Sequence, residues 1–214
     1  VQEFALTLRA ELDYLREGRN AERFAHNFAD NPAVHIPRVF WDYTTSRVLT
    51  LERIRGIKID NLTALEAAGF DRNELAERVA RILMQMVFED GFFHADPHPG
   101  NFFVESNGAI GLIDFGMVGI VDGPTQDRLA QLLLVLAQQD PDRLVDAFLE
   151  LGVARRYVDR LALREDLRHF VQAYYDRPLR ELRLEPLLKE ALAIVRRHHL
   201  HLPTNLVLLA KTVM

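Results

Sequence analysis

The sequence predicts an α+β fold, because helical and strand-like patterns alternate in its first half and helical patterns fill the second. The chain has 214 residues, of which 49% are hydrophobic and 27% charged. That is enough for one ordinary core, or for one large lobe of a longer protein. The predicted order is a helix, two strands, a second helix, a polar loop, a hairpin and then helices.

The first predicted element is a helix that continues to Phe28. The Asn31-Pro32 pair ends it, since the residue before a proline disfavours helical backbone. The helix is indicated by apolar residues that share one face: Phe4, Leu8, Leu12 and Leu15.

Two strands are predicted next, HIPRVFWDYT and RVLTLERI, joined by a polar turn near Thr45-Ser46. A second helix follows and ends near Gly91. Its apolar face consists of Leu75, Val79, Ile82, Leu83, Met86 and Val87.

The segments NFFVE and AIGLID, separated by the turn SNG, predict a short β-hairpin. Everything after Gly123 has a helical pattern. Four prolines are expected near helix starts or breaks in this region: Pro141, Pro178, Pro186 and Pro203.

Composition excludes several classes of protein. The absence of cysteine excludes disulfides and thiolate metal sites. The longest apolar run, Leu132 to Ala137, is far too short to cross a bilayer, so no transmembrane segment is expected here. Because the chain starts at Val1 and ends at Met214 inside a helical pattern, we expect a piece of a longer protein.

Charge gives no indication of a nucleic-acid partner. The net charge is −5, and arginine accounts for most of the basic residues, with lysine only at Lys58, Lys189 and Lys211. The arginines are interleaved with acidic residues throughout, which is typical of solvated helix faces rather than a basic binding patch.

The polar loop carries the residue types that phosphoryl transfer from ATP requires. His94-Ala95-Asp96 is followed by Asn101 and, after the hairpin, by Asp114-Phe115-Gly116. Asp96 fits the carboxylate that faces the acceptor hydroxyl or water. Asn101 and Asp114 fit the hard oxygen ligands that hold Mg²⁺ between the phosphates. For His94 we expect a structural role.

The loop also departs from the protein-kinase pattern. His98 stands where those enzymes carry a lysine, which makes it a further candidate catalytic residue. No Ala-Pro-Glu sequence follows Gly116. Only the stretch from Met117 to Gly123 separates Gly116 from the next predicted helix. A peptide has little surface to lie on, which favours a small or lipidic acceptor, or ATP hydrolysis.

Four stretches together resemble the UbiB/AarF family of atypical kinases: HADPHPGN, LIDFGMVG, TTSRVLTLERIRG and ELDYLREGRN. The resemblance runs from Ala10 to about Ala137. It implies a protein-kinase-like fold, here mostly the helical C-terminal lobe (57–214), together with a partial N-terminal lobe (1–56) that holds the αC-type helix and the hinge strands. It also implies ATP and Mg²⁺ as cofactors, and kinase or ATPase activity that supports ubiquinone or related isoprenoid-lipid biosynthesis.

The resemblance also assigns residue roles. Glu17 would pair with the lysine that holds the α- and β-phosphates, and Glu11 and Asp13 would form a Glu-x-Asp motif that meets a second lysine. The first lysine here is Lys58, so neither partner lysine is present and we expect this stretch alone to be inactive. The hinge backbone would meet the adenine edge; its residues are Leu51, Glu52, Arg53 and Ile54.

Two other functions remain open. One is a small-molecule phosphotransferase of the aminoglycoside or choline-kinase type, which carries a similar loop. The other is a lipid-binding pseudokinase scaffold. The family resemblance further implies isoprenoid-lipid or quinone precursors as partners. It places the full-length protein at the cytoplasmic side of a membrane, with contacts to the membrane surface made outside this stretch.

Overall fold

The computed structural model describes residues 13–138, 140–151, 153–154, 158–175, 184–202 and 204–213. These residues form the mixed α+β architecture that the sequence predicts. The chain divides into two compact units, Val1–Gly119 and Ile120–Met214. The boundary predicted between residues 56 and 57 concerns the lobes of a complete kinase fold and stays a prediction.

The described helices of the first unit each begin at a short polar side chain. Asp13, Asn61 and Asp71 accept a hydrogen bond from a backbone N–H in the first turn, which satisfies a donor that has no partner inside the helix. These helices are α1 (Tyr14–Asn27), α2 (Leu62–Ala67) and α3 (Arg72–Phe88).

The first helix ends where the sequence predicts. The N–H of Phe28 bonds the carbonyl of Phe24 at 2.9 Å and closes the last turn of α1. The part of this helix predicted between Phe4 and Leu12 lies outside the described residues. The second predicted helix is confirmed as α3, which ends at Phe88.

The described strands that lie wholly or partly in the first unit are β1 (Val34–His35), β2 (Gly56–Lys58), β3 (Phe92–His94), β4 (Phe102–Glu105), β5 (Ile110–Leu112) and β6 (Val118–Ile120). Four of them form a sheet in the order β1-β5-β4-β2, and β3 pairs with β6. The predicted hairpin is confirmed as β4 and β5, which run antiparallel. Gly108 turns the chain between them at φ 81°, a backbone conformation that glycine adopts without strain.

The prediction of two strands between His35 and Ile54 is wrong. His35 belongs to β1, but beyond it only the isolated bridges Val39 to Leu51 and Thr45 to Val48 pair residues of this region, and a 3₁₀ turn covers Trp41–Tyr43. The hydroxyl of Thr44 donates to the Phe40 carbonyl at 2.9 Å and accepts from the Thr50 N–H at 3.2 Å. Such side-chain bonds occupy backbone groups that a regular ladder would use.

The second unit is mainly helical around its own core. Its described helices are α4 (Gly123–Gln138), α5 (Pro141–Leu151), α6 (Arg160–Tyr175), α7 (Leu184–Arg197) and α8 (Thr204–Val213). One buried cluster joins four of them: Val135, Leu144, Val145, Leu163, Leu167, Phe170 and Ile194. A short antiparallel pair, β7 (Val153–Ala154) with β8 (Leu200–His201), contradicts the prediction of helices alone after Gly123.

The predicted proline positions agree with the helix starts where the structure describes them. Pro141 is the first residue of α5, and Pro186 lies in the first turn of α7. Pro178 and Pro203 lie outside the described residues. Across the described ranges, no helix combines the length and apolar character needed to cross a bilayer.

Candidate active site

The loop after β3 holds the backbone of Asp96 from two sides and leaves its carboxylate exposed. The Asp96 N–H donates to Nδ1 of His94 at 3.2 Å, and Nδ2 of Asn101 donates to the Asp96 carbonyl at 3.1 Å. The carboxylate is therefore accessible to a substrate, as a catalytic base must be, and the role of Asp96 as base stays a prediction.

His94 is buried, with 1% of its surface exposed, and its ring packs inside the core. Because Nδ1 accepts a hydrogen bond, the proton sits on Nε2, which lies 3.3 Å from the Ile113 carbonyl. Burial lowers the pKa of His94 and outweighs the opposing bond to that carbonyl and the nearby Asp96 and Asp114 carboxylates. These contacts agree with the structural role predicted for this residue.

His98 lies at the start of the 3₁₀ turn Pro99–Asn101. Its Nδ1 accepts the Gly100 N–H at 3.0 Å, which shapes the backbone just before Asn101. The side chain is otherwise exposed. This bond gives His98 a local structural task, and the catalytic role predicted for it stays a prediction.

The hairpin brings Asn101 and Asp114 to one end. Asn101 directly precedes β4, and Asp114 follows β5 closely; the Ile113 N–H donates to the Asn101 carbonyl at 3.0 Å. In an antiparallel pair the start of one strand adjoins the end of the other. The two predicted metal ligands therefore come from adjacent backbone positions.

The donor set at this end of the hairpin fits a magnesium ion. The Asn101 amide nitrogen is used by Asp96, so its oxygen is the atom that could bind a cation, and the Asp114 carboxylate is exposed. Both are hard oxygen donors, and Mg²⁺ in phosphate sites takes one or two protein ligands plus water and phosphate oxygens. Among the described residues, no group of three or more His, Asp and Glu side chains could hold a metal.

Asp114 has a left-handed backbone, with φ at 63°. This conformation is disfavoured for residues other than glycine, although Asp and Asn tolerate it better than most. The Gly116 N–H reaches back to Asp114 Oδ1 at 3.3 Å.

Glu17 on α1 meets this segment directly, and its predicted pairing with a lysine stays a prediction. Its Oε1 accepts the Phe115 N–H at 3.2 Å. A Cβ added to Gly116 would lie 3.4 Å from Asp114 Oδ1 and 3.9 Å from Glu17 Oε2, so both carboxylates border the same point. Burial and the Asp114 charge raise the pKa of Glu17, and the bond from Phe115 opposes them. Two carboxylates so placed favour a nearby cation.

The other predicted acidic residues lie at the start of α1. Asp13 is the N-cap of the helix, and its Oδ1 accepts the Arg16 N–H at 3.4 Å. Glu11 lies outside the described residues. The predicted contact of this pair with a lysine stays a prediction.

In the predicted hinge, Leu51 forms an isolated β-bridge with Val39. The side chain of Ile54 packs against Gly111. The carboxylate of Glu52 accepts the Arg38 N–H at 3.2 Å and lies 3.5 Å from His35 Nε2. Glu52 therefore supports the hinge through protein contacts.

Arg53, the remaining residue of the predicted hinge, has an exposed side chain. Adenine binding by the backbone from Leu51 to Ile54 stays a prediction.

The structure adds two residues that sequence reasoning missed. Asn20 Nδ2 donates to the Phe115 carbonyl at 2.8 Å, and Arg16 Nη2 donates to the Gly116 carbonyl at 3.3 Å. Asn20 shares a helix face with Glu17, three residues before it, and with Arg16, four residues before it. That spacing was the available signal.

Comparison with known proteins identifies the family. The sequence model of the ABC1 atypical kinase-like domain matches residues 1–148.

The chain belongs to the ABC1 atypical kinase-like family.

The UbiB helical domain matches residues 167–214, so the resemblance to UbiB and the kinase-like fold are both confirmed.

Two relatives illustrate the likeness. A probable protein kinase UbiB of Xylella fastidiosa is 35% identical over 220 residues, covering 100% of this chain and 40% of its own length. An uncharacterized protein of Synechocystis is 41% identical over 172 residues, covering 80% of this chain and 29% of its own length. The chain thus spans less than half the length of these curated relatives.

A solved structure shows the same fold. The complex of Rv3197 with erythromycin from Mycobacterium tuberculosis superposes with a TM-score of 0.68 at 24% identity, covering 100% of this chain and 56% of the other.

Proposed function

We propose that the full-length protein is an Mg²⁺·ATP-dependent kinase or ATPase of the UbiB type. It would transfer the γ-phosphoryl group of ATP to water or to a small or lipidic acceptor. The pathway it supports would be the synthesis of ubiquinone or a related isoprenoid lipid. Membership of an atypical kinase family supports the phosphotransferase class at this coarse level.

One observation supports the proposal: hydrogen bonds of Asn101 join the backbone of Asp96 to Ile113, the residue just before Asp114. Asn101 bonds Asp96 through its side chain and Ile113 through its carbonyl, which places it between the predicted base and the predicted metal ligand. A lipid-binding scaffold without turnover has no need for all three residue types in this order.

The chemistry asks for positioning more than for covalent participation of the protein. The acceptor oxygen forms a bond to the γ-phosphorus while the bond from that phosphorus to the β,γ-bridging oxygen breaks, and ADP leaves. Asp96 accepts the proton of the attacking hydroxyl or water. Asn101 and Asp114 would hold Mg²⁺, which supplies neutralising charge to the phosphates when bound.

The substitution Asp114→Asn in the full-length protein tests the metal assignment. Asparagine keeps the shape and tolerates the left-handed backbone, so the change removes mainly the charge. We expect Mg²⁺-dependent affinity for ATP, measured by calorimetry, to fall at least about tenfold because a charged hard ligand is lost.

Asp30→Asn is the matched control, since Asp30 is an exposed carboxylate beyond the end of α1. This variant should bind Mg²⁺·ATP as the parent does. Unchanged Mg²⁺-dependent binding in Asp114→Asn would sink the assignment of Asp114 as a ligand.

A further inference from the structure

Helix α1 binds the backbone of the Asp114-Phe115-Gly116 segment at three points. Glu17 accepts the Phe115 N–H at 3.2 Å, Asn20 donates to the Phe115 carbonyl at 2.8 Å, and Arg16 donates to the Gly116 carbonyl at 3.3 Å. The two peptide groups that flank Phe115 are therefore both held by side chains of one helix. Phe115 itself is fully buried, so these groups have little access to water.

The contacting residues form one continuous face of α1. Arg16, Asn20 and Phe24 follow one another at intervals of four residues, and Glu17 lies beside them. The Phe24 ring continues the contact, with its centroid 5.3 Å from that of Phe115. The face is thus polar where it meets backbone and aromatic where it meets the core.

The opposite side of α1 is also fixed. The Trp41 ring lies on Gly18, where an added Cβ would come within 2.7 Å of it, and Trp41 Nε1 donates to Glu22 Oε1 at 2.5 Å. The helix is therefore held between the 3₁₀ turn at Trp41 and the segment at Phe115.

This segment needs such support because Asp114 has a disfavoured left-handed backbone. Residues in such conformations persist where surrounding contacts determine them. Release of the Phe115 carbonyl would leave a buried acceptor without its bond and would free the adjoining peptide to rotate. The Asp114 carboxylate would then lose its fixed direction.

We propose that Asn20, assisted by Arg16, is a positioning residue that holds Asp114 in the conformation that faces the metal. Asn20 does not touch the nucleotide or the metal in this assignment; it acts through the Phe115 carbonyl. The role in Mg²⁺ binding rests on the proposed function, whereas the hold on the backbone does not. The position of α1 thereby determines the position of Asp114.

The test compares Asn20→Asp, Asn20→Ala and Arg19→Ala in the full-length protein. Asn20→Asp keeps the side-chain shape but turns an oxygen toward the Phe115 carbonyl, so it removes the donor. Arg19 lies beside Asn20 on an exposed part of α1, where its Nε donates only within the helix to the Leu15 carbonyl at 3.2 Å. Arg19→Ala is therefore the matched control.

The first measurement is the Mg²⁺ concentration that gives half-maximal ATP hydrolysis. We expect it to rise about tenfold in both Asn20 variants, with the rate at saturating Mg²⁺ within about threefold of the parent and no change in Arg19→Ala. A lower rate at every Mg²⁺ concentration, with an unchanged Mg²⁺ requirement, would overturn the proposal.

The second measurement needs no nucleotide: amide hydrogen exchange of the peptide that contains residues 113–118. Faster exchange confined to this peptide in the Asn20 variants supports the hold on the backbone, even if the parent shows no Mg²⁺·ATP dependence and the proposed function fails. Exchange that matches Arg19→Ala, or that rises throughout the first unit, contradicts it.

Discussion

At the scale of single residues, His35 joins two acidic side chains from different parts of the first unit. Its Nδ1 lies 2.6 Å from Glu105 Oε1 at the end of β4, and its Nε2 lies 3.5 Å from Glu52 Oε2 in the predicted hinge. Partial burial lowers the pKa of His35, but the bonds and charges of Glu105 and Glu52 outweigh it and raise the pKa above its usual value. The protonated imidazole therefore stabilises the folded protein.

We expect this stabilisation to depend on pH in a defined direction. A raised pKa in the folded state means that the contribution is fully present below the unfolded pKa of about 6.5 and is lost as pH rises through the higher folded value. His35→Gln should thus lower thermal stability more at pH 6 than at pH 8.5. The difference should stay below about 1 kcal/mol, because the pair is partly exposed and screened by solvent.

The control for this prediction is His169→Gln, which changes an exposed histidine of α6. Thermal unfolding of the full-length variants across this pH range gives the comparison. An equal loss of stability at both pH values in His35→Gln would show that the histidine acts through shape rather than charge.

At the scale of elements, the contact between β3 and β6 depends on a glycine. A Cβ on Gly119 would lie 2.1 Å from the tip of the Phe93 ring, and Phe93 is 1% exposed, so the ring has no room to move. β3 leads into His94, and β6 follows Gly116 closely. The Ala95 N–H also bonds the Met117 carbonyl at 3.0 Å. Close packing here therefore joins the loop after β3 to the segment after Asp114.

Gly119→Ala should be destabilising by about 1–3 kcal/mol, because an extra methyl group in a filled core forces side chains or backbone to shift. Gly123→Ala is the matched control, since nothing lies within 4 Å of a Cβ added there. Thermal unfolding of the two full-length variants should separate them by several degrees. Equal melting temperatures would mean that the β3–β6 contact adapts without cost.

Regular elements with strong local signals could be predicted from the sequence. The hairpin of β4 and β5 carries two short apolar runs around a glycine turn, and α3 carries a long apolar face, so both follow from local chemistry. The segment from His35 to Ile54 carries similar strand-forming residues. Thr44 and the 3₁₀ turn at Trp41 disrupt its ladder, and this depends on side-chain bonds that no periodicity shows.

The candidate site was predictable to a similar depth. The spacing of Asp96, Asn101 and Asp114 predicts their roles, because phosphoryl transfer restricts which side chains can serve, and these roles stay predictions. The hold of α1 on Phe115 was not specified, since Asn20 meets a residue far along the chain. Long-range contacts to backbone carry no residue signature at the receiving end, so only the structure reveals them.

At the scale of the whole molecule, the described chain covers a minor part of its curated relatives, 40% of the UbiB protein of Xylella fastidiosa and 29% of the Synechocystis protein. The proposed transfer of a phosphoryl group, and its acceptor, must therefore be tested with the full-length protein. Two features of the described part bear on it: the length of chain after Gly116, and the identity of the residue at position 98.

The full-length protein should phosphorylate peptides poorly, while isoprenoid-lipid precursors or anionic membranes should raise its ATP turnover. Only residues 117–122 lie between Gly116 and α4, and three of the positions from 118 onward form β6, which leaves little chain to support a peptide. His98 lacks the long ammonium side chain of the lysine that protein kinases carry at this position, and its Nδ1 is used by the Gly100 N–H, so transfer to a demanding acceptor should be slow. A membrane-soluble ligand can raise turnover only if it binds the productive state more tightly.

Phosphate release should be measured with and without anionic liposomes and a phenolic headgroup mimic, beside labelling of a peptide array. Strong peptide labelling without any response to lipid or phenol would contradict the assignment of a small or lipidic acceptor. It would indicate an ordinary protein kinase instead.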